Sequence, residues 1–242
     1  MQNRYNDEKD ACGIGFVADI EGADSHRIID HAVEVLINLM HRGGAGDDAK
    51  TGDGAGLLIQ IPDSYFQRVC RDGGLSLPPA GEYGVSAVFA PSCTGTRDRV
   101  CALIEAEFAA GEIPFLGWRT VKTQPERLGA ASASVAPAVL HGFSDLRDIP
   151  ESRRETALYL LRRKIENRAS AEGLPRPFHV ASMSHRTVVY KGLMLGNQLT
   201  GFYPDLTEPD LTSAIAVVHQ RYSTNTFPSW ELSQPFRYLA HN

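Results

Sequence analysis

The sequence predicts a mixed α+β fold, or a layered α/β arrangement, on three observations. Helical and strand periodicities both occur, but without the strict strand–helix alternation of a parallel β-α-β sheet. Several strand-like runs follow one another through tight connections, which favours antiparallel pairing. The chain has 242 residues, 43% of them hydrophobic and 22% charged, enough to bury roughly 70–75% of its unfolded surface without disulfide staples. No internal repeat and no Gly-, Ser- or Pro-rich linker marks a domain boundary.

Residues 11–20 (ACGIGFVADI) form a short apolar run between polar flanks and read as a buried strand. Asp24 or Ser25 can cap a helix whose apolar stripe runs through Ile28, Ile29, Ala32, Val33, Leu36, Ile37 and Met40 until Gly43 stops it. The glycine-rich stretch 43–56 is a loop, 57–61 a strand, and Pro62 opens a short helix through Cys70. Residues 84–89 read as a strand, 97–110 as a helix with Val100, Leu103, Ile104 and Phe108 on one face, and 115–121 as extended. Residues 152–168 carry Ala157, Leu160, Leu161 and Ile165 at helical spacing, with basic residues on a solvated opposite face. Residues 178–183 and 187–191 look like a hairpin pair. Residues 214–221 form a strand buried on both sides by a nearly continuous apolar run.

The charge balance narrows the function. With 24 Lys+Arg against 29 Asp+Glu the net charge is −5, and no basic block suggests a phosphate-tracking surface, so nucleic acid is not expected as a partner. No apolar run approaches the ~20 residues a membrane span needs. The first ten residues are polar and lack the apolar middle of a secretory signal, so the expected compartment is the cytoplasm. The four cysteines, at 12, 70, 93 and 101, match no zinc or iron–sulfur spacing, and the eight histidines show no H-E-x-x-H pattern. No metal ligand is assigned. Cys70 and Cys101 fall in helical runs as small buried side chains, and Cys93 in a loop.

Three stretches could carry chemistry. The glycine loop from His41 to Gly56 lacks the phosphate-cradle motif, precedes a strand instead of opening a helix and contains acidic residues. It reads as a shaped turn near a ligand pocket. At the other end, a strand terminates at Arg221 among the hydroxyl, amide and aromatic residues 222–230. That arrangement suits bidentate capture of a carboxylate, or equally an ion pair with an acidic side chain beside an ordinary turn. Finally, Cys12 opens a strand after an eleven-residue polar leader. It is a buried hydrophobe if the leader stays. If the leader is removed, its free amine, with pKa ~7.7–8.0, can accept the proton of its own thiol.

Cys12-Gly-Ile-Gly-Phe-Val17, His41-Arg-Gly-Gly with Thr51-Gly-Asp-Gly-Ala-Gly56, and His219-Gln-Arg-Tyr-Ser-Thr-Asn-Thr-Phe-Pro-Ser-Trp230 with Leu239-Ala-His-Asn242 together resemble one family. It is the N-terminal type 2 (class II) glutamine amidotransferase domain of the glutamate synthase large subunit. Thr187-Val-Val-Tyr-Lys-Gly192 and Phe202-Tyr-Pro-Asp205 resemble the same family, and the likeness runs from Cys12 to the last residue. The resemblance implies an N-terminal-nucleophile (Ntn) hydrolase fold, an αββα four-layer sandwich, over residues 12–242 after a cleaved leader, 1–11. It implies that Cys12 attacks the side-chain amide of L-glutamine and that the γ-glutamyl thioester is hydrolysed to glutamate. The ammonia passes to 2-oxoglutarate on the remaining synthase domains, which carry FMN and a 3Fe-4S cluster and draw on a small electron-donating subunit. No cofactor is implied for this segment. Arg221 matches the clamp on the glutamine α-carboxylate, Thr224 a nearby hydroxyl contact, and Asn242 a side-chain donor to the oxyanion.

The family pattern continues with a glycine after that asparagine and a downstream aspartate for the α-amino group, whereas this chain ends at Asn242. The expectation is a domain incomplete at its C-terminus and poorly active alone, since losing one oxyanion donor costs ~10²–10³ in rate. Competing readings are an Ntn amide hydrolase acting on another acyl donor, and an inactive glutamine-binding or assembly module.

Overall fold

The computed structural model describes residues 13–46, 48, 50–174, 176–223 and 226–237. In chain order the strands are β1 (Gly13–Ala18), β2 (Ala55–Gln60), β3 (Tyr83–Ala90), β4 (Phe115–Thr120), β5 (Ala138–Asp145), β6 (His179–Ser184), β7 (Thr187–Gly192) and β8 (Ile215–Gln220). The helices are α1 (His26–Asn38), α2 (Asp63–Asp72), α3 (Thr94–Ala110), α4 (Ala130–Ser134), α5 (Glu151–Ala171) and α6 (Leu199–Phe202). The strands form two four-stranded sheets, ordered β1-β8-β2-β7 and β4-β5-β3-β6, and every pairing within them is antiparallel. The mixed α+β class read from the sequence holds, with antiparallel sheets.

Each sheet takes its own helical cover. Helix α1 buries Ile28, Ile29, Ala32 and Leu36 and packs on β1 and β8. The contact is so close that a Cβ on Gly15 would stand 2.5 Å from Val35 Cγ1. The α1 stripe ends at Asn38, short of Met40, because residues Met40–Arg42 tighten into a 3-10 turn before Gly43. Ser25 occupies the N-cap without a side-chain cap bond; its backbone instead bridges to Ser213. On the second sheet, Val88, Ala90, Leu140, Val180 and Met183 meet Val100, Leu103, Ile104 and Phe108 of α3 and Leu158, Leu161 and Ile165 of α5 in one buried cluster. Each such aliphatic or aromatic side chain contributes about 1.5–3 kcal/mol on burial.

Residues 11–20 read as a buried strand, but β1 is an edge strand with Ile14 and Phe16 exposed, and two further expectations need correction. Residues 178–191 are not a hairpin: β6 pairs with β3 and β7 with β2, in different sheets. The chain crosses between sheets at Ser184–Arg186, a corner held by side chains. Ser184 Oγ donates to Glu155 Oε1 (2.6 Å) and accepts from the N–H groups of Arg186 (2.9 Å) and Thr187 (3.1 Å). The N–H of His185 also donates to Glu155 Oε1 (2.9 Å). The second correction is β5, an inner strand of the second sheet that the apolar pattern does not announce, because buried His141, Gly142 and Ser144 interrupt it.

The edge of β7 abuts the second sheet. Val189 N donates to Ser182 Oγ (3.2 Å), and the Tyr190 ring meets His141 of β5 edge-on at 5.6 Å. Beside them lies a buried polar knot. Arg119 grips Asp205 with two nitrogens, both at 2.8 Å, and donates to Tyr65 Oη at 2.8 Å. Tyr190 Oη adds a bond to Asp205 at 3.2 Å.

Candidate active site

The site forms where β8 ends, because three separate stretches are drawn to that end of the first sheet. Strand β1 begins with Gly13 opposite Gln220, and β2 begins with Ala55 opposite the same residue. Gln220 is fully buried, and its Oε1 accepts the N–H of Gly196 at 2.9 Å. The next residue, Arg221, is clasped through its backbone by the glycine loop: its N–H donates to Gly54 O (2.8 Å) and its carbonyl accepts from Gly44 N (3.1 Å).

The loop needs glycine for contact, not for a phosphate. A Cβ on Gly44 would lie 1.9 Å from Asp53 Oδ2, the oxygen that accepts the N–H of Ser223 at 2.7 Å. Gly54 has φ +135° and lies directly against Ser233, whose Cβ a side chain there would strike at 2.8 Å. Thus Asp53, one of the loop's acidic residues, orders the turn after Arg221. The reading of 43–56 as a shaped turn near a ligand pocket is consistent with this placement.

Arg221 itself is 8% exposed. Its Nη2 donates to Thr226 Oγ1 at 2.7 Å, while its buried Nη1 has no hydrogen-bond partner among the described residues. A buried guanidinium nitrogen left so is costly unless something outside the described residues accepts from it. The alternative held open from sequence, an ion pair with an acidic side chain, does not occur among the described residues. Of the other candidate residues, Cys12, Thr224 and Asn242 lie outside the described residues; Cys12 immediately precedes Gly13 in sequence.

Lys191 belongs to the Thr187–Gly192 motif, and the sequence alone assigns it no role. It sits in β7, paired with Gly56, and is fully buried. Its Nζ donates to Ser233 O (2.7 Å) and Glu231 O (3.1 Å) and lies 3.3 Å from His179 Nε2. The Phe236 ring centroid is 4.9 Å from it. Burial, then the nearby Arg237 and Arg221 charges against the pull of Glu231, brings the ammonium down to about 7. His179 is pushed well below its ordinary range, by burial first and then by the Lys191 charge. The signal in the sequence was a lone lysine closing an apolar strand run, Val188-Val-Tyr-Lys191.

A family model for class-II glutamine amidotransferases matches residues 12–242. The chain belongs to that family. It is 43% identical to the glutamate synthase [NADPH] large chain of Bacillus subtilis (strain 168), across 97% of this chain but 15% of that one. The corresponding large chain of Azospirillum brasilense is 37% identical across 99% of this chain and 16% of its own length. The glutamate synthase [NADH] of Saccharomyces cerevisiae is 39% identical across 97% and 11%. The chain therefore spans about one-sixth or less of these relatives, and it corresponds to their glutamine amidotransferase domain.

Proposed function

We propose that this chain is the glutamine-hydrolysing domain of a glutamate synthase, acting with Cys12 as nucleophile after loss of residues 1–11. The observation that carries the reading is Arg221: a buried guanidinium with one nitrogen held by Thr226 and the other without a partner among the described residues. A free carboxylate on the donor, the α-carboxylate of glutamine, supplies the missing acceptor as a charge-assisted bond. A simple amide donor without that carboxylate would leave Arg221 unsatisfied, which favours glutamine over another acyl donor.

The chemistry follows from the residues. The α-amine of a trimmed Cys12 takes the thiol proton, and the thiolate attacks the side-chain carbonyl of glutamine. The Asn242 amide donates to the oxyanion of the tetrahedral intermediate, and Thr224 contacts the substrate. Collapse breaks the C–N bond, the ammonium returns its proton to the leaving nitrogen, and ammonia departs. Water then hydrolyses the γ-glutamyl thioester to glutamate and restores the thiol. The fold in this reading is the Ntn αββα sandwich, with α1 outside one sheet and α3 and α5 outside the other.

In the whole synthase, FMN and an iron–sulfur cluster on other domains support the transfer of this ammonia to 2-oxoglutarate, with electrons from a donor subunit, in the cytoplasm. Among the described residues no three His, Cys, Asp or Glu side chains gather as metal donors. No helix among them is long and apolar enough to cross a membrane.

A diazoketone analogue of glutamine tests the assignment. On the chain beginning at Cys12, one adduct is expected, at Cys12, with its formation abolished in Cys12→Ala. An adduct mapping to Cys70, Cys93 or Cys101 would overturn it. Ammonia release from glutamine is expected only without residues 1–11, because with them attached the Cys12 nitrogen is a non-basic amide.

A further inference from the structure

Lys191 is a buried charge that the proposed chemistry does not use. Burying it is unfavourable, as its depressed ammonium records, and an apolar side chain of similar length would avoid that cost. Its contacts indicate what it does instead. The two carbonyls it holds, of Glu231 and Ser233, belong to the segment that follows Trp230, itself buried between the Phe89 and Phe202 rings. That segment lies directly on the glycines of β2. A Cβ on Gly56 would strike Gln234 O at 2.5 Å, and one on Gly54 would strike Ser233. Gly54 in turn accepts the backbone N–H of Arg221.

We propose that Lys191 is a positioning residue of the Arg221 site: its side-chain amino group pegs the 231–237 segment onto Gly54 and Gly56, and through Gly54 fixes the end of β8 that carries Arg221. The proposal rests on reading Arg221 as the carboxylate clamp. The groups facing the peg are His179 from β6, Arg237 and Glu231 from the segment, and Arg221 from the end of β8. Only Glu231 among them is acidic, and the hydrogen bond Lys191 makes to it goes to its backbone carbonyl. Without these N–H donors, those carbonyls regain partners only by lifting towards water, and Gly54 loses the surface that holds it.

Site-resolved amide hydrogen exchange on the full chain decides the matter without glutamine. In Lys191→Met, the amides of 231–234, 236 and 237 and of Arg221 should exchange about tenfold faster or more, while those of β4 and β5 are unchanged. Lys191→Arg, which can still donate to both carbonyls, should restore protection. An unchanged Arg221 amide, acceleration spread evenly to β4 and β5, or no rescue by arginine would each overturn the proposal. Should Lys191→Met fail to fold, wild-type exchange under mild denaturant still decides: the Arg221 amide and those of 231–234, 236 and 237 should open as one unit, and separate openings would overturn it. A glutamine titration of the wild-type chain tests the clamp separately. If glutamine does not bind, the reading of the site falls while the exchange result stands.

Discussion

Arg221 and Gly44 are where the candidate site is tested at the scale of single residues, one by its fork and one by the absence of a side chain. Lysine at 221 keeps the charge but loses the planar pair of nitrogens, one of which is occupied by Thr226. Glutamine affinity in Arg221→Lys should fall about 10- to 100-fold, the worth of one or two charge-assisted bonds. Competition with the diazoketone label would measure it, and an unchanged affinity would remove Arg221 from the site. Gly44→Ala places a Cβ where Asp53 Oδ2 now lies, so the carboxylate must release Ser223 N–H. A stability loss of about 1–3 kcal/mol should appear in denaturant titration; a neutral alanine would mean that the loop yields elsewhere. Arg221 was legible in the sequence because a charged residue closing an apolar strand beside hydroxyls is chemically conspicuous. Lys191 was not, because burial, which gives it meaning, cannot be read from a strand-end lysine that solvent normally covers.

Between elements, the joint of the two sheets depends on a polar knot. Asp205 is 4% exposed and takes both nitrogens of Arg119, on β4, with Tyr65 of α2 and Tyr190 of β7 closing the ring. Removing one partner leaves an uncompensated buried charge, so Asp205→Asn should cost about 3–5 kcal/mol. Pairing it with Arg119→Met should recover part of that loss in a double-mutant cycle, and strict additivity would show that the two side chains are not coupled. The knot also explains which elements the sequence conceals. Strand β5 puts His141 on this inner side among the Phe66, Phe143 and Tyr190 rings, and Gly142 on the other, where a Cβ would strike Trp118 Cζ3 at 2.8 Å. Neither residue reads as core by hydropathy. The β6–β7 connection misleads for a different reason. Two adjacent strand patterns fit a hairpin or a crossing equally well, and the deciding contact, Glu155 on Ser184 and His185, comes from a helix far away in sequence. By contrast α1, α3 and α5 are legible because each buries one face on one sheet, although Ile37 and Leu160 of the expected stripes are exposed.

For the whole molecule, burial of ionisable groups in and around these sheets sets how stability depends on pH. His141 is brought down to about 3, by burial and then by the Arg119 charge, and His179 also lies well below its ordinary 6.5. A base whose folded pKa is depressed contributes stability that is fully present above the unfolded value and lost as pH falls through it. The chain should therefore weaken below pH 6.5, with a slope of up to about 2.7 kcal/mol per pH unit from the two histidines. For Asp205, burial works to raise the carboxyl, but the Arg119 bonds and charge outweigh it, so its contribution disappears only at lower pH, as the carboxylates protonate. On the alkaline side Lys191, at about 7 against an ordinary 10.5, binds its proton less readily folded than unfolded. Stability should rise from pH 7 to about 9, at up to about 1.4 kcal/mol per unit. Above that, the thiols of Cys70 and Cys101, raised by burial to about 11 from 9.0, reverse the trend, and the four buried tyrosines 65, 83, 190 and 203, all raised, steepen the fall above pH 10. Denaturant midpoints taken across this range should thus peak near pH 9, with the rise above 7 absent in Lys191→Met and the fall below 6.5 shallower in His141→Asn. A profile with its maximum below pH 7, or one that Lys191→Met leaves unaltered, would mean that the ammonium is not buried as a charge and that water reaches the back of the Arg221 site.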